Sequence, residues 1–264
     1  MENKYYIKNG CIYFNCKFNE PLDVYTDIMK NCSEIIFSNH NDCDIYVGNK
    51  FNQPLANSMN QEVQLTQLTF GHNFNQPLAN SIDQQVQLTQ LTFGEYFNQP
   101  LANSSNQLVQ LTQLTFGWYF NCPLDDCINQ LSQLEQLTLC YKFNQELDIP
   151  LNIKKLKLNC NNINLIENLP NSIEELKFDC NFDLPLTNLP NSIKIISFDP
   201  NSNFDKELNN LPYFLEKIYL PIGYNKEIKN INSQCEIFKN KIKNKYNRMG
   251  VSLHNTPIFI KLFF

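Results

Sequence analysis

The sequence is poor in the residue types that carry most enzyme chemistry. Only three histidines occur, His40, His72 and His254, and no two of them share a neighbourhood in the chain. Glycine is scarce as well, with seven residues, and no glycine-rich loop of the phosphate-binding kind is present. The adjacent Asp125 and Asp126 are better explained as turn carboxylates than as an acid–base pair. The sequence therefore predicts no catalytic residues and no cofactor.

A basic excess and a long apolar run are also missing. Lys and Arg total 21 against 26 Asp and Glu, and the net charge of −5 gives no electrostatic case for binding nucleic acid. A cluster of basic residues at Lys239–Arg248 lacks interleaved aromatic residues, which favours a solvated face. No stretch reaches the roughly 20 apolar residues that a membrane helix requires. The apolar fraction of 42 % is nevertheless enough to fill a core.

The ten cysteines do not form a recognisable metal or disulfide pattern. Neither Cys11 with Cys16 nor Cys122 with Cys127 has the C-x₂-C spacing of a zinc site, so no metal is predicted. The polar start of the chain lacks a secretion signal, from which we expect a cytoplasmic location and reduced thiols. Three cysteines recur about every 20 residues and are predicted to stack as small buried side chains: Cys140, Cys160 and Cys180.

What the chain has in abundance is repetition. The pentapeptide Phe-Asn-Gln-Pro-Leu begins at Phe51, Phe74 and Phe97, and degenerate copies begin at Phe120 and Phe143. Each interval is 23 residues. A fixed period in this range predicts a solenoid of stacked units in which each unit uses its neighbour as the other wall of the core.

A second recurring element predicts a strand in each unit. The sequence Leu-Thr-Gln-Leu-Thr-Phe-Gly occurs at Leu65–Gly71, Leu88–Gly94 and Leu111–Gly117. Its apolar and polar residues alternate with the period of a half-buried strand, and Thr and Phe favour a pleated surface. Further strand centres are predicted downstream at intervals of 19 to 22 residues: Leu137, Leu156, Leu176, Ile196, Ile218 and Ile237.

The repeat also extends upstream, but one boundary stays open. Ile12–Phe14 is followed by a complete unit, and a strand is expected at Ile35–Phe37, 23 residues later. Ile45–Gly48 then leads into Phe51 with the standard spacing. Whether the ten intervening residues form a loop or a truncated repeat is not decided by the pattern. We assign residues 1–228 to the solenoid, in about ten units of 19–23 residues, and 229–264 to a C-terminal cap continuous with it.

Two interpretations compete near the C-terminus. Apolar residues from Lys226 onward follow helical spacing, whereas the register of the array makes Cys235–Phe238 the last strand. The array favours the strand at the start of this segment, and Lys239–Arg248 is left as a candidate helix. The apolar residues Ile258–Phe264 are expected to close the end of the stack.

The residues of the pentapeptide are predicted to be structural anchors. The phenylalanines should stack in the core, and the asparagine amides should pair with turn backbone. Truncating a phenylalanine to alanine should cost roughly 3–5 kcal/mol. The anchors are Phe51, Phe74, Phe97, Phe120, Phe143, Asn75, Asn98, Asn121 and Asn144.

The polar strand positions are the predicted binding surface. Solenoids use the face that their strands form for recognition, and here that face is neutral first and charged later. A solvated surface left uniform by duplication is the competing interpretation. The candidate positions are Thr66, Gln67, Thr69, Thr89, Gln90, Thr92, Thr112, Gln113, Thr115, Glu135, Gln136, Thr138, Lys154, Lys155, Lys157, Glu174, Glu175 and Lys177.

These motifs resemble the FNIP repeat, a relative of the leucine-rich repeat. The resemblance rests on the pentapeptides, on Leu-Pro-Asn-Ser-Ile at Leu169 and Leu189, and on most of residues 11–228. Asn162 departs from it, since it stands where an anchor phenylalanine is expected. The resemblance implies a leucine-rich-repeat-like curved solenoid of α/β-type repeats, mainly β in content. A parallel sheet would line the concave face, and irregular or 3₁₀ segments the convex face.

The family occurs in amoebae and giant viruses, so a viral chain would lie in the host cytoplasm. It often carries an F-box ahead of the repeats, but only about ten residues precede the first unit here. No ubiquitin-ligase role is therefore carried over. We expect a non-enzymatic scaffold for an unknown protein partner. The alternative is a structural protein that self-associates through its ends or its apolar tail. The oligomeric state is not predicted.

Overall fold

A computed structural model of the 264-residue chain describes residues 3–37, 48–55, 59, 63–78, 81–82, 86–179, 182–242 and 257–262. The chain divides into two compact units, Met1–Asn152 and Ile153–Phe264. Each unit is a parallel-stranded solenoid, and the two are described in turn. The mainly β solenoid predicted from the repeats is confirmed.

The strands of the first unit pair in strict register. They are β1 (Tyr5–Lys8), β2 (Cys11–Phe14), β3 (Glu34–Phe37), β4 (Gln67–Thr69), β5 (Gln90–Thr92), β6 (Gln113–Thr115) and β7 (Gln136–Leu139). From β2 to β7 every neighbouring pair is parallel, and equivalent residues face one another, as in Leu68↔Leu91↔Leu114. Because side chains alternate across a strand, this register places one row of leucines in the core and keeps the flanking polar residues on the other side.

Two columns of stacked phenylalanine rings form the core behind these strands. One column comes from the residue at the strand end, as in Phe70 and Phe93, whose ring centroids lie 5.7 Å apart. The other comes from the anchors, as in Phe74 and Phe97, at 6.1 Å. Within a unit the two columns touch, with 3.7 Å between the Phe70 and Phe74 centroids. The anchor rings are at most 1 % exposed, so each contributes the full hydrophobic free energy of a buried aromatic.

The same stacking resolves the unit boundary that the sequence left open. The ring of Phe37, in β3, stacks on Phe51 at 4.1 Å, as Phe70 stacks on Phe74. Phe51 therefore belongs to the unit of β3, and the ten additional residues lie between a strand and its own anchor. Strand β3 also pairs directly with β4. The strand expected at Ile45 lies outside the described residues.

Asparagine side chains join the anchors of successive units. The Oδ1 atom of each pentapeptide asparagine accepts a hydrogen bond from the backbone N–H of the equivalent asparagine one unit later. Asn98 N donates to Asn75 Oδ1, Asn121 N to Asn98 Oδ1, and Asn144 N to Asn121 Oδ1, each at 2.8 Å. These backbone N–H groups lie outside the strands and therefore have no partner in the parallel sheet. The asparagine side chains supply the acceptors that they need.

The glycines after the strands are required by close backbone approach. A Cβ atom on Gly94 would lie only 1.8 Å from the carbonyl oxygen of Gly71, and one on Gly117 2.1 Å from that of Gly94. No side chain fits at such distances, so successive turns stack through bare backbone.

The amino end begins with a hairpin that the repeat pattern did not predict. Strand β1 pairs antiparallel with β2, and Tyr5 faces Phe14. Asn9 and Gly10 connect the two strands with φ angles of 53° and 77°. An Asn-Gly pair with both residues at positive φ is the preferred two-residue connection of a hairpin.

Helical structure within the described residues of the first unit is confined to short return segments. These are 3₁₀ turns at Leu22–Tyr25 and Ala102–Gln107 and the helices α1 (Thr26–Met29) and α2 (Asp125–Ile128). This agrees with the expected content of mainly β structure. The carboxylates of Asp125 and Asp126 lie in the first turn of α2, where the helix dipole favours negative charge.

The second unit repeats the parallel ladder with shorter connections. Its elements are β8 (Lys155–Leu158), α3 (Ile163–Glu167), β9 (Glu175–Phe178), β10 (Ile195–Phe198), β11 (Leu208–Asn209), β12 (Lys217–Leu220), β13 (Ile228–Lys229), β14 (Glu236–Ile242) and β15 (Pro257–Leu262). Strands β8, β9, β10, β12 and β14 pair in parallel in that order, and β11 pairs with β13.

The helical interpretation of the C-terminal segment is wrong where the structure describes it. Ile228 and Lys229 form β13, and Lys239 lies in β14, so the pattern from Lys226 is not a helix. Residues 243–248 of the candidate helix lie outside the described residues. The apolar segment β15 pairs antiparallel with β14, with Ile260 opposite Lys239. Strand β15 thus pairs with the edge of β14 on which a further repeat unit would otherwise stack.

Candidate functional site

The predicted binding positions of the first unit form three rows across its strands. The strand register aligns Gln67, Gln90, Gln113 and Gln136 in one row and Thr69, Thr92, Thr115 and Thr138 in another. All eight side chains are half-buried and alternate with the leucines of the core. We name these eight residues the strand face. The row at the start of the strands, Thr66, Thr89, Thr112 and Glu135, lies beside it.

The threonines of this third row are engaged in holding the ladder together. The hydroxyl of Thr89 donates to the carbonyl oxygen of Thr66 at 3.1 Å, and that of Thr112 to Thr89 at the same distance. Thr66 donates likewise to Ser33. Each of these hydroxyls uses its one donor on the ladder, so it can offer a partner only an acceptor. The strand-face glutamines and threonines are therefore the stronger candidates of this unit for contact with a partner.

The predicted positions of the second unit are charged and paired with one another. Glu175 lies between two lysines, with Lys177 Nζ at 2.8 Å and Lys155 Nζ at 3.7 Å from its carboxylate oxygens. Lys157 pairs with Asp179 at 2.9 Å. The pairs of Lys155 and Lys157 reach from β8 to the chain of β9, and the pair of Lys177 lies within β9, so the surface carries both signs of charge in compensated form.

The row at the start of these strands alternates in charge. Lys154, Glu174, Lys194 and Glu216 follow one another through backbone hydrogen bonds, each residue donating its N–H to the carbonyl of the one before. Lys194 Nζ lies 2.7 Å from Glu174 Oε2. The hydrogen bond from Lys194 lowers the pKa of the Glu174 carboxyl, and the reciprocal bond raises the pKa of Lys194.

Sequence analysis missed a second exposed surface, at the turns that follow the strands. There the two residues that precede the anchor phenylalanine differ from unit to unit: His72-Asn73, Glu95-Tyr96, Trp118-Tyr119 and Tyr141-Lys142. Tyr96, Trp118, Tyr119 and Tyr141 are 37–44 % exposed. The signal was present in the sequence, because these positions vary while almost everything around them is repeated.

The turn residues also stack in rows. The rings of Tyr96 and Tyr119 are parallel within 4°, with centroids 5.0 Å apart, and Trp118 lies 4.7 Å from Tyr141. His72 packs edge-on against Tyr96, and its Nδ1 atom lies 2.6 Å from Glu95 Oε2. We name the residues His72, Glu95, Tyr96, Trp118, Tyr119 and Tyr141 the turn strip.

Five of the cysteines that the structure describes are buried free thiols. Cys140 is buried and its Sγ atom lies 3.1 Å from the carbonyl oxygen of Phe120, and Cys160 is buried in the second unit. Cys180 lies outside the described residues. Burial raises the pKa of Cys127 to about 11. Cys16 is disulfide-bonded, so the expectation that every thiol is reduced is wrong for this residue.

The part of the chain that the structure describes holds no cluster of three or more His, Cys, Asp or Glu residues able to bind a metal ion. Of the three histidines, His72 is described, and it belongs to the turn strip. His40 and His254 lie outside the described residues. None of the helices formed by the described residues has the length and apolar character needed to cross a membrane.

Comparison with known proteins agrees with this geometry. The family model described as FNIP Repeat matches residues 143–181. The matched segment therefore has the pattern of an FNIP repeat. It begins at the anchor Phe143 and covers β8 and β9. Among curated proteins, none matches the sequence significantly.

The fold of this chain is similar to that of a solved leucine-rich-repeat protein. CroV588, described as a circular leucine-rich-repeat protein and derived from a giant virus, is 24 % identical with a TM-score of 0.52. The alignment covers 90 % of this chain but 48 % of CroV588, so the chain spans about half the length of that protein. An internalin, InlF of Listeria monocytogenes, is 15 % identical over 84 % of this chain and 70 % of its own, with a TM-score of 0.46.

Proposed function

We propose that this chain is a non-enzymatic scaffold that binds a protein partner through the strand face. The observation that carries the proposal is the unbroken register of the glutamine and threonine rows from β4 to β7. Such rows present amide and hydroxyl groups at intervals of about 4.8 Å over four strands. A surface of this kind suits an extended segment or a flat protein surface, and repeat solenoids commonly bind partners in this way.

The uniformity of the strand face also favours binding over catalysis. Catalysis requires different groups in different roles around one reacting atom, whereas each row here repeats one side chain in equivalent surroundings. Repetition of weak, equivalent contacts instead supports binding over an extended area.

The experiment compares the native protein with two triple variants that make the same change of charge. In the face variant, Thr69, Thr92 and Thr115 are replaced by lysine. In the control, lysine replaces Gln64, Gln87 and Gln110, exposed residues of the same units outside the strand face. Affinity capture from native cytosol should recover a partner with the wild type and the control but not with the face variant. Recovery of the same partner by the face variant would contradict the proposal.

Self-association is the second candidate function, and it rests on strand β1. This strand pairs with β2 on one side, and Tyr6 and Ile7 are 55 % and 50 % exposed. An edge strand with apolar side chains is a template for pairing with another copy. Light scattering of the wild type and of Ile7→Lys tests this idea: a concentration-dependent dimer that the substitution abolishes supports it, and a wild-type monomer removes it. A deletion of Ile258–Phe264 tests the apolar tail in the same way.

A further inference from the structure

The turn strip has an exact order along the first unit that is set by backbone hydrogen bonds. The N–H of Tyr96 donates to the carbonyl of His72, that of Tyr119 to Glu95, and that of Lys142 to Trp118. One row therefore contains His72, Glu95, Trp118 and Tyr141. The neighbouring row contains Lys50, Asn73, Tyr96, Tyr119 and Lys142.

The spacing of these rows matches that of a polyproline II helix. Stacked rings in the strip lie 4.7–5.0 Å apart, so two steps along the strip cover about 9.6 Å. A polyproline II helix has three residues per turn and rises about 3.1 Å per residue, which gives about 9.3 Å per turn. One turn of the polyproline II helix is therefore about as long as two repeat units. Residues three apart in the ligand would contact equivalent positions two units apart in the strip.

The exposed polar atoms of the strip complement the same ligand. A polyproline II segment makes no internal hydrogen bonds, so its carbonyl groups are free to accept. Tyrosine hydroxyls and the indole N–H of tryptophan are donors on exposed aromatic rings. Within the described residues, the hydroxyls of Tyr96 and Tyr119 and the Trp118 Nε1–H have no hydrogen-bond partner. Ring surface with outward donors is the recognised means of binding proline-rich segments.

Two lysines indicate the charge that the ligand should carry at its ends. Lys50 and Lys142 are exposed at opposite ends of one row, and Lys142 Nζ lies 5.3 Å from the ring of Tyr141. Between them, the carboxylate of Glu95 is paired with His72. The four steps from Lys50 to Lys142 span about 19 Å. About seven residues of polyproline II helix cover that distance.

We propose that the turn strip binds a proline-rich segment of a partner protein, about seven residues in the polyproline II conformation with an acidic residue at each end. The inference rests on the proposed role of the chain as a protein-binding scaffold, but uses a surface separate from the strand face. Single-stranded nucleic acid fits less well. It would bring a phosphate to every unit, whereas the middle of the strip carries Glu95 and no lysine.

The test uses the tryptophan of the strip as a reporter. Trp118 is the single tryptophan of the chain, so a ligand on the strip should change its fluorescence directly. The probe is an acetylated, amidated heptapeptide of five prolines between two aspartates, titrated to about 1 mM. Saturable change of Trp118 emission is expected with this peptide, and none with the matched peptide of five glycines or with an oligothymidylate.

Substitutions then assign the contact to the strip. Tyr96→Ala and Tyr119→Ala should each weaken binding by roughly tenfold, as expected for aromatic contacts. Tyr213→Ala, which truncates a 67 % exposed tyrosine of the second unit, should leave binding unchanged. Circular dichroism of each variant checks that the fold is retained. Absence of binding at 1 mM, equal binding of the glycine peptide, preference for the oligothymidylate, or an unchanged affinity of both strip variants would each overturn the inference.

The triple-lysine face variant separates this inference from the proposed function. It should bind the proline peptide as the wild type does, because Thr69, Thr92 and Thr115 are not part of the strip. If the peptide fails to bind while the face variant loses its captured partner, the inference about the strip is wrong and the strand-face proposal stands. If the peptide binds and the face variant still captures the partner, the strand-face proposal is wrong.

Discussion

The ring of Phe37 stacks on the ring of Phe51, with centroids 4.1 Å apart and planes inclined by 13°. In the next unit, Phe70 makes the same contact with Phe74 only four residues later, at 3.7 Å. The two pairs occupy equivalent places in the ring columns although the chain between them differs in length by ten residues. The core contact is therefore independent of the connection that precedes the anchor.

This independence predicts that residues 38–47 can be deleted without loss of the fold. The deletion brings Gly48, Asn49 and Lys50 between Phe37 and Phe51, which reproduces the spacing of Phe70 and Phe74. A shorter loop costs less entropy to close, so stability in urea should stay equal or rise by about 1 kcal/mol. Both proteins should be measured with a reductant, because Cys16 is disulfide-bonded.

A matched deletion of residues 37–46 provides the control. It removes the same number of residues but places Val47 where Phe37 stood, so the stack on Phe51 loses a ring. That variant should be less stable than the first deletion by about 1–3 kcal/mol. Equal stability of the two deletions would show that the Phe37–Phe51 contact does not hold the unit together.

Truncation of an anchor should cost far more than truncation on the strand face. Phe74 is fully buried between Phe51 and Phe97, whereas Thr69 is half-buried and outside the core. Phe74→Ala should lower the free energy of unfolding by roughly 3–5 kcal/mol. Thr69→Ala should change it by about 0.5 kcal/mol. Urea denaturation followed by circular dichroism measures both, and equal losses would mean that the assignment of core and face is wrong.

Two glycines provide a matched test of the stacked turns. Gly94→Ala places a methyl group against the Gly71 carbonyl, where the Cβ distance is 1.8 Å, and the backbone must move. Gly223→Ala meets nothing within 4 Å. The first substitution should destabilise the protein by about 1–3 kcal/mol or more, and the second should be nearly neutral. Thermal unfolding of both variants checks this difference, which disappears if the turns are not in contact.

Burial of Cys127 predicts slow and pH-dependent alkylation. Its pKa is raised to about 11 by burial, so at pH 8 its thiolate fraction is roughly a hundred times smaller than at its ordinary pKa. Mass spectrometry should show N-ethylmaleimide labelling of Cys127 that is at least this much slower in the native protein than in urea. Labelling at the same rate in both states would show that the thiol is accessible.

The raised pKa of Cys127 also predicts that the free energy of unfolding decreases at high pH. The unfolded thiol loses its proton at the lower pKa, near 9, while the native thiol keeps its proton up to about pH 11. Cys127 therefore stabilises the native state below pH 9 relative to higher pH, and this contribution declines as the pH rises from 9 to about 11. Cys127→Ala should reduce this decline, as urea titrations at pH 8 and pH 10 would measure.

The strands were predictable because the spacing of their leucines is local and repeated. The partner of Phe51 was not, since Ile45–Gly48 has the strand-and-glycine pattern of Leu68–Gly71 at the standard spacing from the anchor, and the stacking of Phe37 on Phe51 is known only from the structure. The β1 hairpin had a signal in Asn9-Gly10, but that signal is independent of the 23-residue period on which the prediction depended.

Prediction of the candidate site also depended on the 23-residue period, and residues that do not follow this period were missed. The rows of Gln67 and Thr69 could be derived from strand alternation. The loss of Thr89 and Thr112 to ladder hydrogen bonds could not, because it requires distances between units. The turn strip escaped notice because Trp118 and Tyr119 stand at positions that do not repeat.

The in-register pairing of Leu68, Leu91 and Leu114 makes neighbouring units interchangeable. A gene rearrangement that gained or lost one whole unit would lengthen or shorten this surface by about 4.8 Å and leave every remaining contact between units intact. Heritable variation in such a chain can thus adjust the reach of the protein in fixed increments, and the residues that differ between units, at the turns and after the pentapeptides, would record which unit had been copied.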